Sequence, residues 1–224
     1  MTLQFRDRAE AGRLLAEKLK RFRGREDVVV LALPRGGVPV GYEVAQLLDV
    51  PLEVFVVRKL GLPGHEELAM GAIASGNTIF LNEELIRMLH VPEDMLQSVV
   101  QTEKLELERR ERKFRDPNEP IHLAHKTVIL VDDGLATGAT MHAAVNGVKT
   151  HHPAEVIVAV PVSSRETFNK FKPEVDDIVA VMLPEDFSAV GQWYEDFTQT
   201  TDEEVAELLE RARSAHHPSL ASSS

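Results

Sequence analysis

Two adjacent carboxylates, followed by a loop of glycine and threonine, are the residues of this chain best suited to chemistry. Asp132 and Asp133 follow the apolar run 127–131, and a loop of small residues leads from them to Thr140. Ligands of open α/β sheets bind where such a strand ends and a helix begins. The loop amides and the helix dipole favour an anion there, and the carboxylates can accept hydrogen bonds from vicinal hydroxyls. The segment therefore predicts a site for a sugar phosphate.

A simpler interpretation makes the Asp-Asp-Gly sequence a turn and the Thr-Gly sequence the start of a helix. The full pattern of residues 128–140 favours the ligand site, because Thr137 and Thr140 add hydroxyl donors and Gly138 permits close approach of the backbone. The loop lacks the Gly-Lys-Ser/Thr of a Walker A sequence, and its glycine spacing differs from that of a dinucleotide fingerprint.

Valine-rich apolar runs alternate with helical periodicity along the chain, which predicts an α/β fold with a mostly parallel sheet and helices on both faces. A hairpin of residues 70–74 and 78–81, with the helices after it, predicts a small hairpin and helical insertion. We expect one domain over residues 1–213 and a disordered tail over 214–224. The charged helix 92–115 is interpreted as a solvated face. The remaining predicted strands are 28–33, 54–57, 127–131, 156–160 and 178–182; the other predicted helices are 6–22, 38–48, 83–90, 141–150, 165–171 and 202–213.

Composition limits the classes of function. The chain has 25 Lys plus Arg against 36 Asp plus Glu, a net charge of −11, which disfavours general binding of DNA. Because there is no cysteine, disulfides and thiolate chemistry are excluded. No apolar run is long enough to cross a membrane, and the charged N-terminus is unlike a signal peptide. We therefore expect a cytoplasmic protein without membrane contact.

Residues 128–140 resemble the phosphoribosyl-pyrophosphate motif of type I phosphoribosyltransferases. The shared pattern is an apolar strand, two acidic residues, two apolar or small residues, and then Thr-Gly-x-Thr. The resemblance implies that Asp132 and Asp133 hold the ribose hydroxyls of phosphoribosyl pyrophosphate. It also implies Mg²⁺, bound mainly through substrate oxygens and in part by the same two carboxylates. The 5′-phosphate would lie on the loop that follows, formed by Leu135, Ala136, Thr137, Gly138, Ala139 and Thr140.

The loop after the first predicted strand contains Arg35, Gly36 and Gly37, and alone it could be an ordinary tight turn. In the family that it resembles, the equivalent loop binds pyrophosphate, with a strained or cis peptide that would here be the Arg35–Gly36 bond. Arg58 and Lys59 follow the second predicted strand. They resemble cations that neutralise pyrophosphate, although a solvated basic pair is the alternative. The loop 60–68 could then be a flap over the site.

The segment 187–194 resembles the base-binding segment of 6-oxopurine phosphoribosyltransferases, in which an aromatic ring stacks on the base. Phe187 is the preferred candidate and Trp193 the second, and both could instead be core aromatics. Residues 163–165 could also approach the base. Ala136 stands where the 6-oxopurine enzymes carry an acidic residue, and the long helix 92–115 is not a standard part of the small purine enzymes. The acceptor is therefore left open.

The resemblance implies transfer of a phosphoribosyl group from Mg²⁺–phosphoribosyl pyrophosphate to a nitrogen acceptor, expected to be a nucleobase, with release of pyrophosphate. Asp132, Asp133, Arg35 and Lys59 are the expected catalytic residues, and the expected context is nucleotide metabolism. The alternative is a regulator that binds phosphoribosyl pyrophosphate or a nucleotide without catalysis; hydrolysis of a related sugar phosphate is a third option. A homodimer is compatible with the sequence, which leaves the oligomeric state and the pathway open.

Overall fold

Five parallel strands form the main sheet of the computed structural model, which describes residues 4–76, 78–114 and 122–216. Along the sheet the strand order is β2-β1-β6-β7-β8, and a separate antiparallel sheet has the order β3-β4-β5. The strands are β1 (Val28–Ala32), β2 (Leu52–Val54), β3 (Val57–Leu62), β4 (His65–Ala74), β5 (Thr78–Leu81), β6 (Thr127–Val131), β7 (Glu155–Val162) and β8 (Asp177–Met182).

Strands β1 and β6 lie at the centre of the main sheet, and every residue of both is buried. This explains their unbroken apolar sequences, because a strand covered by helices on both faces has no solvent-facing side. The chain runs from β1 outward to β2 on one side and continues with β6, β7 and β8 on the other. The crevice between the carboxyl ends of β1 and β6 is thus the topological switch point, where open sheets of this kind bind ligands.

Helices cover both faces of the main sheet, as the alternating pattern predicts. One core packs α1, α2 and α7 on residues such as Val30 and Ile129, and the other packs α5 and α6 on residues such as Leu31 and Leu130. The helices are α1 (Arg8–Lys18), α2 (Gly37–Leu48), α3 (Glu83–Met88), α4 (Glu93–Phe114), α5 (Ala139–Lys149), α6 (Arg165–Phe171) and α7 (Asp202–His216). In the part of the chain that is described, no helix is long and apolar enough to span a membrane.

The predicted hairpin insertion is confirmed, but it begins earlier than predicted. The expected strand 54–57 divides: Val54 ends β2 in the main sheet, and Val57 begins β3 in the second sheet. The predicted flap 60–68 is accordingly part of the β3–β4 hairpin rather than an irregular loop. Helix α4 is solvated along most of its length, but Leu107 is buried against β3 and β4, and Phe114 reaches the core of the main sheet.

Two helix boundaries also differ from the predictions. Helix α1 begins at Arg8, because Asp7 caps it by accepting a hydrogen bond from the Glu10 amide, and a separate 3₁₀ turn follows at Lys20–Phe22. Helix α7 continues to His216, three residues into the segment predicted to be a disordered tail. Residues 217–224 lie outside the described part of the chain, so the rest of that prediction stays a prediction.

Candidate active site

The loops that follow β1 and β6 meet at the switch point. Gly36 lies so close to the Asp133 carboxylate that a Cβ atom there would be 2.1 Å from Asp133 Oδ2. A Cβ at Gly37 would lie 2.8 Å from the carbonyl oxygen of Val131 and 3.0 Å from the Cα of Asp132. Both glycines are required because the first loop is pressed against the acidic pair. The structure thus brings together two of the segments that the sequence analysis selected independently.

Asp133 is held by residues from both ends of the domain. Nε and Nη2 of Arg8, in the first turn of α1, each lie 2.9 Å from Asp133 Oδ2, in an ion pair that is largely shielded from water. Nη1 of the same guanidinium donates to the Thr198 carbonyl at 2.8 Å, and its plane lies 4.0 Å from the centre of the Phe197 ring. The Tyr194 hydroxyl donates to the backbone carbonyl of Asp133 at 2.6 Å. Asp133 is therefore fixed in both its side chain and its backbone.

The two carboxylates carry raised pKa values. Burial raises the pKa of Asp132 well above its usual range, and the neighbouring Asp133 charge raises it further. Burial also raises the pKa of Asp133, against the opposing effect of the Arg8 charge. Two acidic groups this close in a shielded site prefer not to be ionised together. A ligand that brings positive charge or hydroxyl donors to the pair would relieve that repulsion.

The loop after the acidic pair leads into α5 with its amides free for an anion. Gly138 has a left-handed backbone with φ of 79°, and it precedes α5 without any side-chain cap on the helix. The first intrahelical hydrogen bond runs from the His142 amide to the Gly138 carbonyl, so the amides of residues 139–141 have no acceptor within the helix. Thr137 and Thr140 are exposed beside them. This loop has the geometry of a phosphate site.

The rest of the loop is anchored on the neighbouring strand. The Leu135 amide donates to the Val162 carbonyl at 2.9 Å, and the Ala136 carbonyl accepts from Thr167 Oγ1 at 2.5 Å. A Cβ at Gly138 would lie 2.6 Å from a ring carbon of Phe171. The loop is therefore positioned by packing on β7 and α6, whichever ligand it holds.

Arg35 lies in the loop beside the acidic pair, but its side chain extends toward α4 and α7. Its Nη1 atom lies 3.9 Å from Asp202 Oδ1 at the start of α7. The cis peptide of this loop is the Pro34–Arg35 bond, one bond before the Arg35–Gly36 bond that the resemblance indicates. Arg35 lines a cavity of about 390 Å³ together with residues of α4.

Arg58 and Lys59 are in β3 of the second sheet, not in a loop at the edge of the main sheet as predicted. The Arg58 guanidinium pairs with Glu103 of α4 at 2.6–2.7 Å. Both cations line a cavity between β3 and α4 that shares no lining residue with the cavity beside Arg35. Their contact with pyrophosphate stays a prediction, and the structure gives Arg58 another partner.

The aromatic candidates for base contact differ in burial. Trp193 is only 8% exposed and packs in a small cluster with Phe5, Val162 and Tyr194. Phe187 is half-buried at the border of the same cluster. Trp193 is thus a core residue, and Phe187 is the one with surface to offer. Ser164 is engaged in capping α6 through the Thr167 amide.

Two residues of the site could not be recognised from the sequence. Arg8 and Tyr194 contact Asp133 across 125 and 61 residues of chain, and no local pattern marks either of them. A basic residue near the start of a helix and a tyrosine after a polar turn are ordinary surface features. Only the parallel bridge between Phe5 and Tyr194 brings both segments to the acidic pair.

Comparison with known proteins gives consistent matches. The family model described as phosphoribosyl transferase domain matches residues 4–195. Proteins from two strains of Mycobacterium tuberculosis, named provisionally as phosphoribosyl transferases, are 44% identical over 208 residues, which is 93% of this chain and 47% of theirs. The chain thus spans about half the length of these relatives. A crystal structure from Thermus thermophilus is 41% identical, with a TM-score of 0.82, over 93% of this chain and 98% of that one.

Proposed function

The chain belongs to the phosphoribosyl transferase domain family, and on this premise we propose that it transfers the 5-phosphoribosyl group of phosphoribosyl pyrophosphate to a nitrogen acceptor. The observation that carries the proposal is the convergence of three elements at one crevice. These are the acidic pair after β6, the glycine loop after β1 and the uncapped N-terminus of α5. A molecule with a diol between two phosphate-bearing positions matches such a set of groups.

Each group has a distinct role in this proposal. Asp132 and Asp133 accept hydrogen bonds from the ribose hydroxyls, and the loop from Leu135 to Thr140 binds the 5′-phosphate. The glycine loop and Arg35 face the diphosphate. Among the described residues, no cluster of three or more acidic or histidine side chains could hold a metal by itself. The acidic pair therefore fits a magnesium ion whose other ligands are substrate oxygens and water, and such an ion would neutralise the leaving diphosphate.

The reaction breaks the bond between C1 of the ribose and the diphosphate oxygen, and it forms a bond from C1 to the acceptor nitrogen. The electron pair of the broken bond leaves with the diphosphate, so positive charge develops on the ribose ring. Ionised carboxylates at the ring hydroxyls stabilise that charge, and cations stabilise the leaving group. Arg8 supports this by favouring the ionised form of Asp133. No protein nucleophile is required.

The acceptor is proposed to be a planar nitrogen base. Phe187 stands just after β8, on the carboxyl edge of the sheet, and part of its ring is accessible. A base stacked there would be held by contacts on the order of 1–3 kcal/mol. Since Ala136 replaces an acidic residue of the 6-oxopurine enzymes, a purine of that type is not favoured over other bases.

The test is an assay of pyrophosphate release from Mg²⁺–phosphoribosyl pyrophosphate with a panel of nucleobases. Release that depends on one base supports the transferase. Binding of the donor without release under any condition would contradict it and favour a regulator, and release without any base would favour a hydrolase. The double variant Asp132→Asn/Asp133→Asn is the matched control. It keeps the shape of the site, and it should weaken donor affinity by at least about tenfold, or 1.4 kcal/mol.

A further inference from the structure

A cavity of basic character lies on the far side of the loop that contains Arg35. It is bounded by Pro34 and Arg35, by the last two turns of α4 and by Asp202, the first residue of α7. Its volume of about 390 Å³ is in the range of small-molecule sites, roughly 300–1,000 Å³. The α4 residues that line it are Arg109, Arg110, Lys113 and Phe114.

Four cations face this cavity in a chain whose net charge is −11. They are Arg35, Arg109, Arg110 and Lys113, and two carboxylates offset them in part. Glu106 accepts from Arg109 at 2.7 and 2.8 Å and from Arg110 at 3.1 Å, and Asp202 pairs with Lys113. Positive charge is therefore in excess here.

The position of α4 is fixed, so the cations do not meet by chance of side-chain motion. Phe114 is buried in the core of the main sheet, and its carbonyl accepts a hydrogen bond from Arg213 of α7 at 3.0 Å. Leu107 anchors the preceding turns on the second sheet. Basic residues at the C-terminus of a helix are favoured by its dipole. That effect does not account for Arg35, which comes from a different element and meets them at the same cavity.

Asp202 is the carboxylate that the cations surround. Its pKa is lowered, first by the hydrogen bond from Lys113 and further by the charges of Arg35 and Arg109. A carboxylate in this position satisfies cations from the loop, from α4 and from its own helix. It takes the place that the anionic group of a ligand would occupy.

We propose that this cavity binds a diphosphate group and that Asp202 is an internal counter-ion which the ligand displaces. Several cations converging from two elements suit two linked phosphates better than a single carboxylate, because each phosphate can accept from more than one donor. The helix that was interpreted as a solvated face thus supplies a binding surface at its C-terminal end.

The diphosphate could come from two sources, namely the leaving group of the donor or a separate effector. For the first source, this proposal rests on the proposed function, because the donor must occupy the neighbouring crevice. For the second source, it stands without it. The two cases share the same cavity residues and differ in whether donor and diphosphate bind together.

The experiment is calorimetric titration of inorganic diphosphate into the protein and its variants. Arg109→Gln/Arg110→Gln should weaken binding by about tenfold or more, since two charge-assisted contacts are lost. Arg112→Gln is the matched control, because Arg112 lies on the same turns of α4 but does not line the cavity. All these side chains are exposed, so unchanged melting temperatures should verify folding. Asp202→Asn should tighten binding by about threefold or more.

Equal diphosphate affinity in the double variant and wild type would overturn the proposal. An equal loss in Arg112→Gln would overturn it too, because it would reflect net charge only. Ribose 5-phosphate, which lacks the diphosphate, should bind all variants alike. If wild type binds neither ribose 5-phosphate nor the donor but still binds diphosphate in an Arg109- and Arg110-dependent way, the proposed function fails and this proposal stands. Displacement of diphosphate by the donor identifies the leaving group as the source, and simultaneous binding identifies an effector.

Discussion

Replacement of Arg8 by glutamine tests whether the site depends on an ion pair between the first helix and the acidic pair. The guanidinium makes two contacts of 2.9 Å with Asp133 and one of 2.8 Å with the Thr198 carbonyl. The Arg8 and Asp133 side chains are only 11% and 16% exposed. Breaking a fully buried ion pair costs about 3–5 kcal/mol, whereas exposed pairs contribute about 0.2–1 kcal/mol.

We therefore expect Arg8→Gln to lower the free energy of unfolding by about 2–4 kcal/mol, nearer to the buried case. For a domain of this size, each kcal/mol shifts the melting temperature by about 2–4 °C. The expected decrease is thus about 5–15 °C. Arg6→Gln is the matched control, because Arg6 is a nearby exposed arginine that pairs with Glu10 and not with the acidic pair.

The pH dependence distinguishes a lost ion pair from lost packing. Burial raises the Asp133 pKa and Arg8 opposes that rise, so the variant should have a still higher Asp133 pKa. A carboxyl group whose pKa is raised on folding reduces stability as pH rises through that pKa. The Arg8→Gln defect should therefore be larger at pH 8 than at pH 5, where more of Asp133 is protonated. The acidic limb of donor affinity should also move to higher pH.

Thermal unfolding at pH 5 and pH 8, with calorimetric donor affinity over the same range, checks both expectations. If the stability loss is the same at the two pH values, Arg8 acts through packing against Phe197 and not through charge. If Arg6→Gln produces an equal loss, the effect belongs to the N-terminal segment in general. Either result would refute the reasoning.

Three further changes test other parts of the site. Asp132→Asn should raise the melting temperature at pH 7–8 by about 2–4 °C, because the raised Asp132 pKa means that the ionised form opposes folding; the gain should vanish below about pH 4, and no gain at pH 7 would contradict this. Thr140→Val should weaken ribose 5-phosphate by about threefold at constant stability, whereas Gly138→Ala should also destabilise by about 1–3 kcal/mol, since its Cβ meets Phe171; calorimetry and thermal unfolding separate the two. Phe187→Ala should raise the KM of the acceptor and leave donor affinity nearly unchanged; equal losses of both would make Phe187 a core residue.

The central strands and the loops after them could be predicted because their signal is local. In β1 and β6 every residue is buried, so an apolar run ending in charged and small residues reveals both the strand and its carboxyl end. The boundary between the two sheets could not be predicted in the same way. Phe55 and Val56 are both buried, but in different cores, and the apolar run continues across the point where the chain changes sheets.

The reason for a residue was harder to predict than the residue itself. The requirement for glycine at position 138 was expected from close approach of a phosphate, and the structure adds a left-handed backbone and a Phe171 ring where a Cβ would be. The α4 cations were interpreted as solvated because helical periodicity describes one helix at a time. Their meeting with Arg35 depends on how α4 docks on α7, which is a property of tertiary structure.

The contacts of Arg8 have a consequence for the order in which the protein folds. They join residues that are 125 and 190 positions apart, and the bridge from Phe5 to Tyr194 closes nearly the whole domain into a single loop. Contacts between such distant residues form slowly, because the chain entropy must be lost before they can form. In refolding from denaturant, helical circular dichroism should therefore recover before the ability to bind ribose 5-phosphate. Ligand binding would then report completion of folding, and not only the presence of the sheet.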